Sequence, residues 1–142
     1  MEIRTHSFQL QTTGFADVRD VTPRVRELIH AQGLADGSVL LFVPGATAGL
    51  TTLEYEDGAV QDLRDAIERL APQTIPYAHD ARWGDGNGFA HVRAALIQPD
   101  LEVPVADGEL TLGTWQQIIL LDFDNRARRR TVVCQLRGSF TG

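Results

Sequence analysis

"ELTLGTWQQIILLDFDNRARRRTVVCQLRG", residues 109–138, decides the fold class. Its first part, "ELTLGTWQQIILLDFD" (109–124), reads as one long strand in which a Gly-Thr-Trp-Gln run interrupts an otherwise apolar pattern. A continuous apolar run of this length is the mark of a buried strand. "RRRTVVCQLRG" (128–138) is a second strand, rich in β-branched residues. Only "DNRA" (124–127) separates the two, which predicts an antiparallel hairpin.

Working outward, "EIRTHSFQLQ" near the N-terminus alternates with period two and predicts a strand with one solvated face. In "DVTPRVRELIHAQG", Thr22 can cap a helix, Pro23 suits its first turn and Gly33 its end, with Val25, Leu28 and Ile29 on one face. "SVLLFVP" and "AGLTTLEYE" read as two more strands. "DGAVQDLRDAIERLAP" is a helix whose Val60, Leu63, Ile67 and Leu70 recur at helical spacing until Pro72 stops it. "FAHVRAALI" predicts a short helix capped by Asn87. Strands at both ends with helices between them indicate α+β rather than a doubly wound parallel sheet. The expectation is a compact single domain over residues 1–142, a sandwich of mixed or antiparallel sheets with two to three helices.

The totals narrow the function. A formal net charge of -6 argues against broad nucleic-acid or membrane-surface binding. All 13 basic residues are arginine, so Schiff-base chemistry, a P-loop lysine and a lysine general base are excluded. Any anion held by a charged side chain is held by arginine, which suits phosphate. Cys134 is alone, in a strand-like apolar run, and reads as a small core residue. The N-terminus lacks the apolar run of a signal peptide and no stretch is long enough to span a bilayer, so the cytoplasm is the expected location.

The chemistry concentrates in "YAHDARWGDGNGFAH" (77–91), where His79 and His91 share a glycine-rich segment with Asp80, Asp85 and Asn87. Histidine binds metal, moves protons or holds an anion, and a nearby carboxylate orients its ring. Arg93 and Arg82 are the arginines closest in sequence and the expected phosphate partners. "PGATAGLTT" follows a strand with small residues whose backbone N–H groups can approach an anion, and Thr47 adds a hydroxyl. In "LEYEDG", Glu54 is a candidate base or ligand, while Glu56 and Asp57 suit a helix start. In "LGTWQQI", Trp115 can stack on a flat ring, and Thr114 and Gln116 offer hydrogen bonds.

Taken together, "PGATAGLTTLEYEDG", "YAHD…W.DGNGFAHVRA" and "VPVADGELTLGTWQQIILLDFDNRARRRTVVCQLRG" resemble the YjbQ/UPF0047 family over residues of about 38 to 138. Its members are described as secondary thiamine-phosphate synthase enzymes. The resemblance implies a homotrimer with clefts near subunit interfaces. It places the family's site histidines on His79 and His91, its glutamate on Glu54, its asparagine on Asn87, and its "GTWQ" on Gly113, Thr114, Trp115 and Gln116. Many members carry a histidine where this chain has Gly45, and a "G-x-S" where it has Gln98, Pro99 and Asp100. The implied activity joins a pyrimidine pyrophosphate to a thiazole phosphate. Catalysis would fall to His79, His91 and Glu54, and a small phosphorylated or heterocyclic molecule would contact Thr47, Asp80, Asp85, Asn87, Arg93, Thr114, Trp115 and Gln116. A divalent metal, Mg or Zn, would sit at His79 and His91, completed by Glu54, Asp80 or water. Two other readings stand beside it: a non-catalytic trimer that binds a small anionic metabolite or metal, and a metal-assisted phosphoester hydrolase.

Overall fold

The computed structural model describes residues 1–141. The elements run β1 (Glu2–Thr12), β2 (Asp17–Asp20), α1 (Thr22–Gln32), β3 (Leu34–Phe42), β4 (Ala48–Leu53), α2 (Asp57–Leu70), α3 (Ala78–Trp83), α4 (Gly88–Ile97), β5 (Asp100–Ala106), β6 (Glu109–Leu110), β7 (Gln117–Asp122) and β8 (Arg128–Phe140). They build an α+β sandwich of a five-stranded sheet, β1-β8-β3-β5-β6, and a three-stranded sheet, β2-β7-β4. All pairings are antiparallel.

β7 explains the layering. Its Ile118 and Leu120 join the core between the two sheets, beside Val39, Leu41, Val132, Cys134 and Leu136, with Val25 and Ile29 of α1. Ile119, Leu121 and Phe123 point the other way, onto Val60 and Ile67 of α2 and Phe89, Ala90 and Ala94 of α4. A strand covered on both faces has no reason to alternate, hence the unbroken apolar run. β1 sits at a sheet edge and pairs only with β8, and its exposure alternates residue by residue.

Four expectations need correction. β7 and β8 are not a hairpin: they lie in different sheets, with β7 between β2 and β4 and β8 between β1 and β3. Residues 124–127 cross from one layer to the other, because both strands fill their hydrogen-bonding edges elsewhere. The long strand expected over 109–124 is also broken. The backbone N–H of Gly113 donates to Gln116 Oε1 at 3.0 Å, and that of Gln116 to the Gly113 carbonyl at 3.0 Å, closing a turn between β6 and β7. Finally, there are four helices rather than two or three, because residues 78–83 form the short α3. Thr22 does not cap α1 either: its hydroxyl accepts the N–H of Ile118 at 2.7 Å and ties the helix to β7. Gly33 ends α1 in the left-handed conformation, as expected.

At the end of β7 the inter-sheet core closes on charge. Asp122 has no exposed surface, and Arg130 of β8 is 8% exposed. Arg130 donates to both carboxylate oxygens, at 2.6 and 2.9 Å, and Thr12 of β1 donates to Asp122 at 2.6 Å. Removing one partner from such a pair strands a buried charge. Arg130→Ala is therefore expected to lower unfolding free energy by about 3–5 kcal/mol, read as a fall in the urea midpoint without a change in m-value.

Candidate functional site

Tyr77 starts the local architecture: its hydroxyl donates to the Pro72 carbonyl at 2.6 Å and its residue leads into α3. α3 ends at Gly84, and the chain turns back to α4 through Gly88. The N–H of Gly88 donates to Asp80 Oδ1 at 2.8 Å, while a Cβ at Gly88 would lie 2.5 Å from Tyr77 Cβ. Only glycine lets the two helices approach this closely. The approach brings His79 of α3 against His91 of α4, their ring centroids 4.2 Å apart and their planes tilted by 36°.

The pair is electrostatically tuned. Burial pushes the His91 imidazolium down from the usual histidine value, and the neighbouring His79 pushes it further, with Asp124, Asp85 and Asp80 partly offsetting both. His91 is thus a neutral imidazole at neutral pH, able to donate one N–H and accept at the other nitrogen. His79 Nδ1 is buried and lies 3.6 Å from Asp80 Oδ1, beyond hydrogen-bond reach. Among the described residues it is one of two buried side-chain polar atoms without a partner; the other is Asn87 Oδ1.

Asp85 and Asp124, which act on His91, also line a polar hollow of about 370 Å³ with Asn87, Asn125, Arg126 and Arg128; neither histidine lines it. Asp124 forms its floor. Burial raises its pKa, but the Asn125 N–H, Arg128, Asn87 and Thr47 together outweigh that and hold the carboxyl at about 2. Thr47 hands its hydroxyl proton toward Asp124 at 3.1 Å and accepts from Arg130 at 2.7 Å, which joins the hollow to the inter-sheet ion pair. Arg128 is committed to Asp124 at 2.6 Å, whereas Arg126 is exposed and makes no ion pair among the described residues. A second hollow of about 230 Å³ is lined by His91 with Gly45, Ala46, Ala48, Ala94, Ala95 and Pro99. A larger one of about 510 Å³, between Phe8, Arg24 and Tyr55, holds neither histidine nor an orphaned polar atom.

The structure brings together His79, His91, Asp80, Asp85, Asn87 and Thr47. Glu54, Thr114, Trp115 and Gln116 lie elsewhere: β4 begins at Ala48 beside Thr47 and ends at Leu53, so its six residues set the two groups about 17 Å apart. Glu54 is exposed in the link from β4 to α2. Trp115 is 71% exposed, Thr114 is exposed beside it, and Gln116 donates to Thr52 at 3.2 Å. Arg93 is not free for phosphate. It is 2% exposed, its Nε donates to the Ala71 carbonyl at 3.0 Å, its terminal nitrogen binds Glu68, and it lies over the Phe89 ring. Arg82 lies over the Trp83 ring at the surface. Asn87 occupies the cap position of α4, but its side-chain oxygen accepts no helix N–H and its side-chain N–H goes to Asp124 at 3.2 Å.

Sequence reasoning missed Asp122, Asp124, Arg126, Arg128 and Arg130. A signal for them exists: two carboxylates close a fully apolar strand and face three successive arginines at 128–130. As for a metal, no group of three or more His, Cys, Asp or Glu side chains among the described residues converges as ligands. Gly45 borders the same hollow as His91 and supplies none, and Glu54 is at the far end of β4. Within one chain the residues present do not fit a metal centre.

The sequence signature described as UPF0047 protein YjbQ-like matches residues 6–139. The chain belongs to the YjbQ/UPF0047 family. A UPF0047 protein of Archaeoglobus fulgidus is 36% identical over 124 residues, 87% of this chain and 94% of that protein. One from Mycobacterium tuberculosis is 40% identical over 113 residues, 80% of this chain and 83% of its own. Among solved structures, a hypothetical protein of Aeropyrum pernix superposes with a TM-score of 0.89 at 32% identity, over 96% of this chain and 99% of that one. A YbjQ-like protein of unknown function from Sulfolobus solfataricus gives 0.88 at 24% identity, over 97% and 100%, and shares the fold. No helix among the described residues is long and apolar enough to cross a membrane. Cys134 is fully buried and its thiol is pushed up to about 12 by burial, in keeping with a core role.

Gln98, which ends α4, sits at φ 87° and ψ 148°, a region that glycine alone adopts freely. Such strain costs about 1–3 kcal/mol, so Gln98→Gly is expected to raise stability by about 1 kcal/mol after glycine's own entropy cost. A thermal melt reads it directly.

Asp124 predicts an acid limit. Its folded pKa is depressed, so its stabilisation is complete above the unfolded carboxylate value and drains away as pH falls toward about 2. The shift corresponds to about 2 kcal/mol. Between about pH 5 and pH 2, Asp124→Asn should lose less stability than the wild type, measured by urea midpoints across the range.

Proposed function

We propose that the hollow beside His79 and His91 binds a small phosphorylated molecule, and that the chain carries a thiamine-phosphate synthase-type activity in the cytoplasm. In that reaction the C–O bond between a pyrimidine methylene and pyrophosphate breaks, and its electron pair leaves with pyrophosphate. The ring nitrogen of a thiazole phosphate supplies the pair for the new C–N bond. No proton transfer is needed, so positioning and charge stabilisation do the catalysis.

The observation that carries the reading is a neutral His91 packed against His79, with Asp124 and Asp85 acting on its charge and lining, together with an uncommitted Arg126, one polar hollow. Arg126 takes over the anchoring role expected of Arg93 and Arg82. The imidazole N–H groups donate to the departing oxygens, and the carboxylates of Asp85 and Asp124 face the cation that develops on the methylene. A homotrimer belongs to the same reading. Trp115, too far from His91 within one chain, reaches a cleft only from a neighbouring copy.

A second reading, a trimer that binds a small anionic metabolite without turnover, is favoured by one fact: Gly45 leaves two histidines where a third would stand. Steady-state pyrophosphate release separates the two, because a binder saturates without cycling. For the enzyme, His91→Ala and His79→Ala should each lower the rate about tenfold to thousandfold, with Arg126→Ala raising KM. Full activity in both histidine variants would refute the assignment.

A further inference from the structure

The ion pair at the end of β7 leaves one nitrogen over. Arg130 Nε and Nη2 are taken by Asp122 and Thr47, while Nη1 donates to no protein group among the described residues. The Arg130 side chain keeps 9% of its surface exposed. Among the described residues, the fully buried side-chain polar atoms without a partner are His79 Nδ1 and Asn87 Oδ1. Nη1 has no partner either and is not one of them, so it is open to solvent. Its outlet is at Gly45. A Cβ there would stand 3.1 Å from Nη1 and, its chain neighbours aside, within 4 Å of nothing else. Gly45 holds φ 118°, a conformation that disfavours any side chain at this point.

Gly45 is also part of the wall of the 230 Å³ hollow that His91 lines. The methyl groups of Ala46, Ala48, Ala94 and Ala95 make up most of the rest, and no acidic side chain lines it. The backbone N–H groups of Gly45 and Ala46 donate to no protein group among the described residues, and both residues are exposed. The polar groups at this opening are therefore donors, set beside an apolar wall. Asp122 grips the guanidinium from the other side with both oxygens and cancels much of its charge. A dianion meets little net attraction here. A monoanion that takes one charge-assisted hydrogen bond and lays an apolar tail on the alanines fits both features.

We infer that Arg130 Nη1 and the Gly45 side of this hollow form a binding site for a small aliphatic carboxylate. Its oxygens accept from Nη1 and from the 45–46 backbone, and its tail packs on the alanines of β4 and α4. Asp122 is then a positioning residue, which aims Nη1 outward by holding the opposite edge of the guanidinium. The site is separate from the polar hollow of Asp85, Asn87 and Arg126 and does not depend on what binds there.

The test is an amide NMR titration of the intact protein at neutral pH with propionate, propionamide and inorganic phosphate. Propionate should shift the Gly45 and Ala46 amides and the Arg130 Nε–H signal saturably, with a Kd of about 1–10 mM for so small a ligand. Propionamide, of the same shape without the charge, should bind at least about tenfold more weakly. Phosphate should leave the three signals in place. Ala95→Leu fills the tail side from an exposed position on α4 and should abolish the propionate shifts. Gly45→Ala sets a methyl over Nη1 and should do the same; where its backbone strain prevents folding, Ala95→Leu decides. Equal affinity for propionamide, or tighter binding of phosphate, overturns the carboxylate assignment. Propionate binding that survives Ala95→Leu overturns the placement of the tail. Saturable shifts at Asn125 and Arg126 instead of 45–46, or no saturable shift at all, overturn the site.

Discussion

The pairing of Asp122 with Arg130 is the constraint around which this domain is organised. It joins the last residue of β7 to the third of β8, strands that belong to different sheets, at the one end of the sandwich where the apolar core gives way to polar groups. Two charges taken out of water are tolerable only if each finds its geometry complete. Here both carboxylate oxygens are engaged, Thr12 adds a third bond, and the Arg130 Nη2 that reaches Asp122 also donates to Thr47. The sheets therefore meet in one register at this pole.

That register is what the candidate site inherits. Thr47 relays from Arg130 to Asp124, and Asp124 holds Asn87 and Arg128. Asn87 sits at the start of α4, the helix that carries His91. A chain of buried hydrogen bonds thus runs from the inter-sheet pair to the rim of the hollow. Each link is satisfied until Asn87 Oδ1, where the network stops with a free acceptor. The apolar surfaces set the other boundary: Phe89, Ala90 and Ala94 press α4 onto the outer face of β7, which fixes the height of His91 over the strand.

Much of this was legible in the residues. The alternation of β1, the spacing of α1 and α2, the Gly33 end of α1 and the polar character of the 77–91 segment all depend on local pattern, and all stand where the pattern placed them. Other features were not legible, for a common reason. Whether β7 and β8 pair depends on which strands already occupy their edges, and a short turn does not reveal that. Whether Arg93 is free depends on Glu68 and the Ala71 carbonyl, more than twenty residues away in sequence. Likewise, Glu54 and the 113–116 turn seemed companions of the histidines only because the motifs follow one another; an extended strand between them makes them distant.

The sequence by itself determined most of the longer helices and strands, the α+β class and the segment that carries the reactive side chains, since these follow from short-range periodicity, turn chemistry and residue type. Tertiary structure alone decided which arginine is committed and which is open, which of the named side chains share a hollow, and which acceptor is left without a donor. Those are properties of long-range packing. Free energy of burial and hydrogen bonding is settled between residues that only the fold makes neighbours.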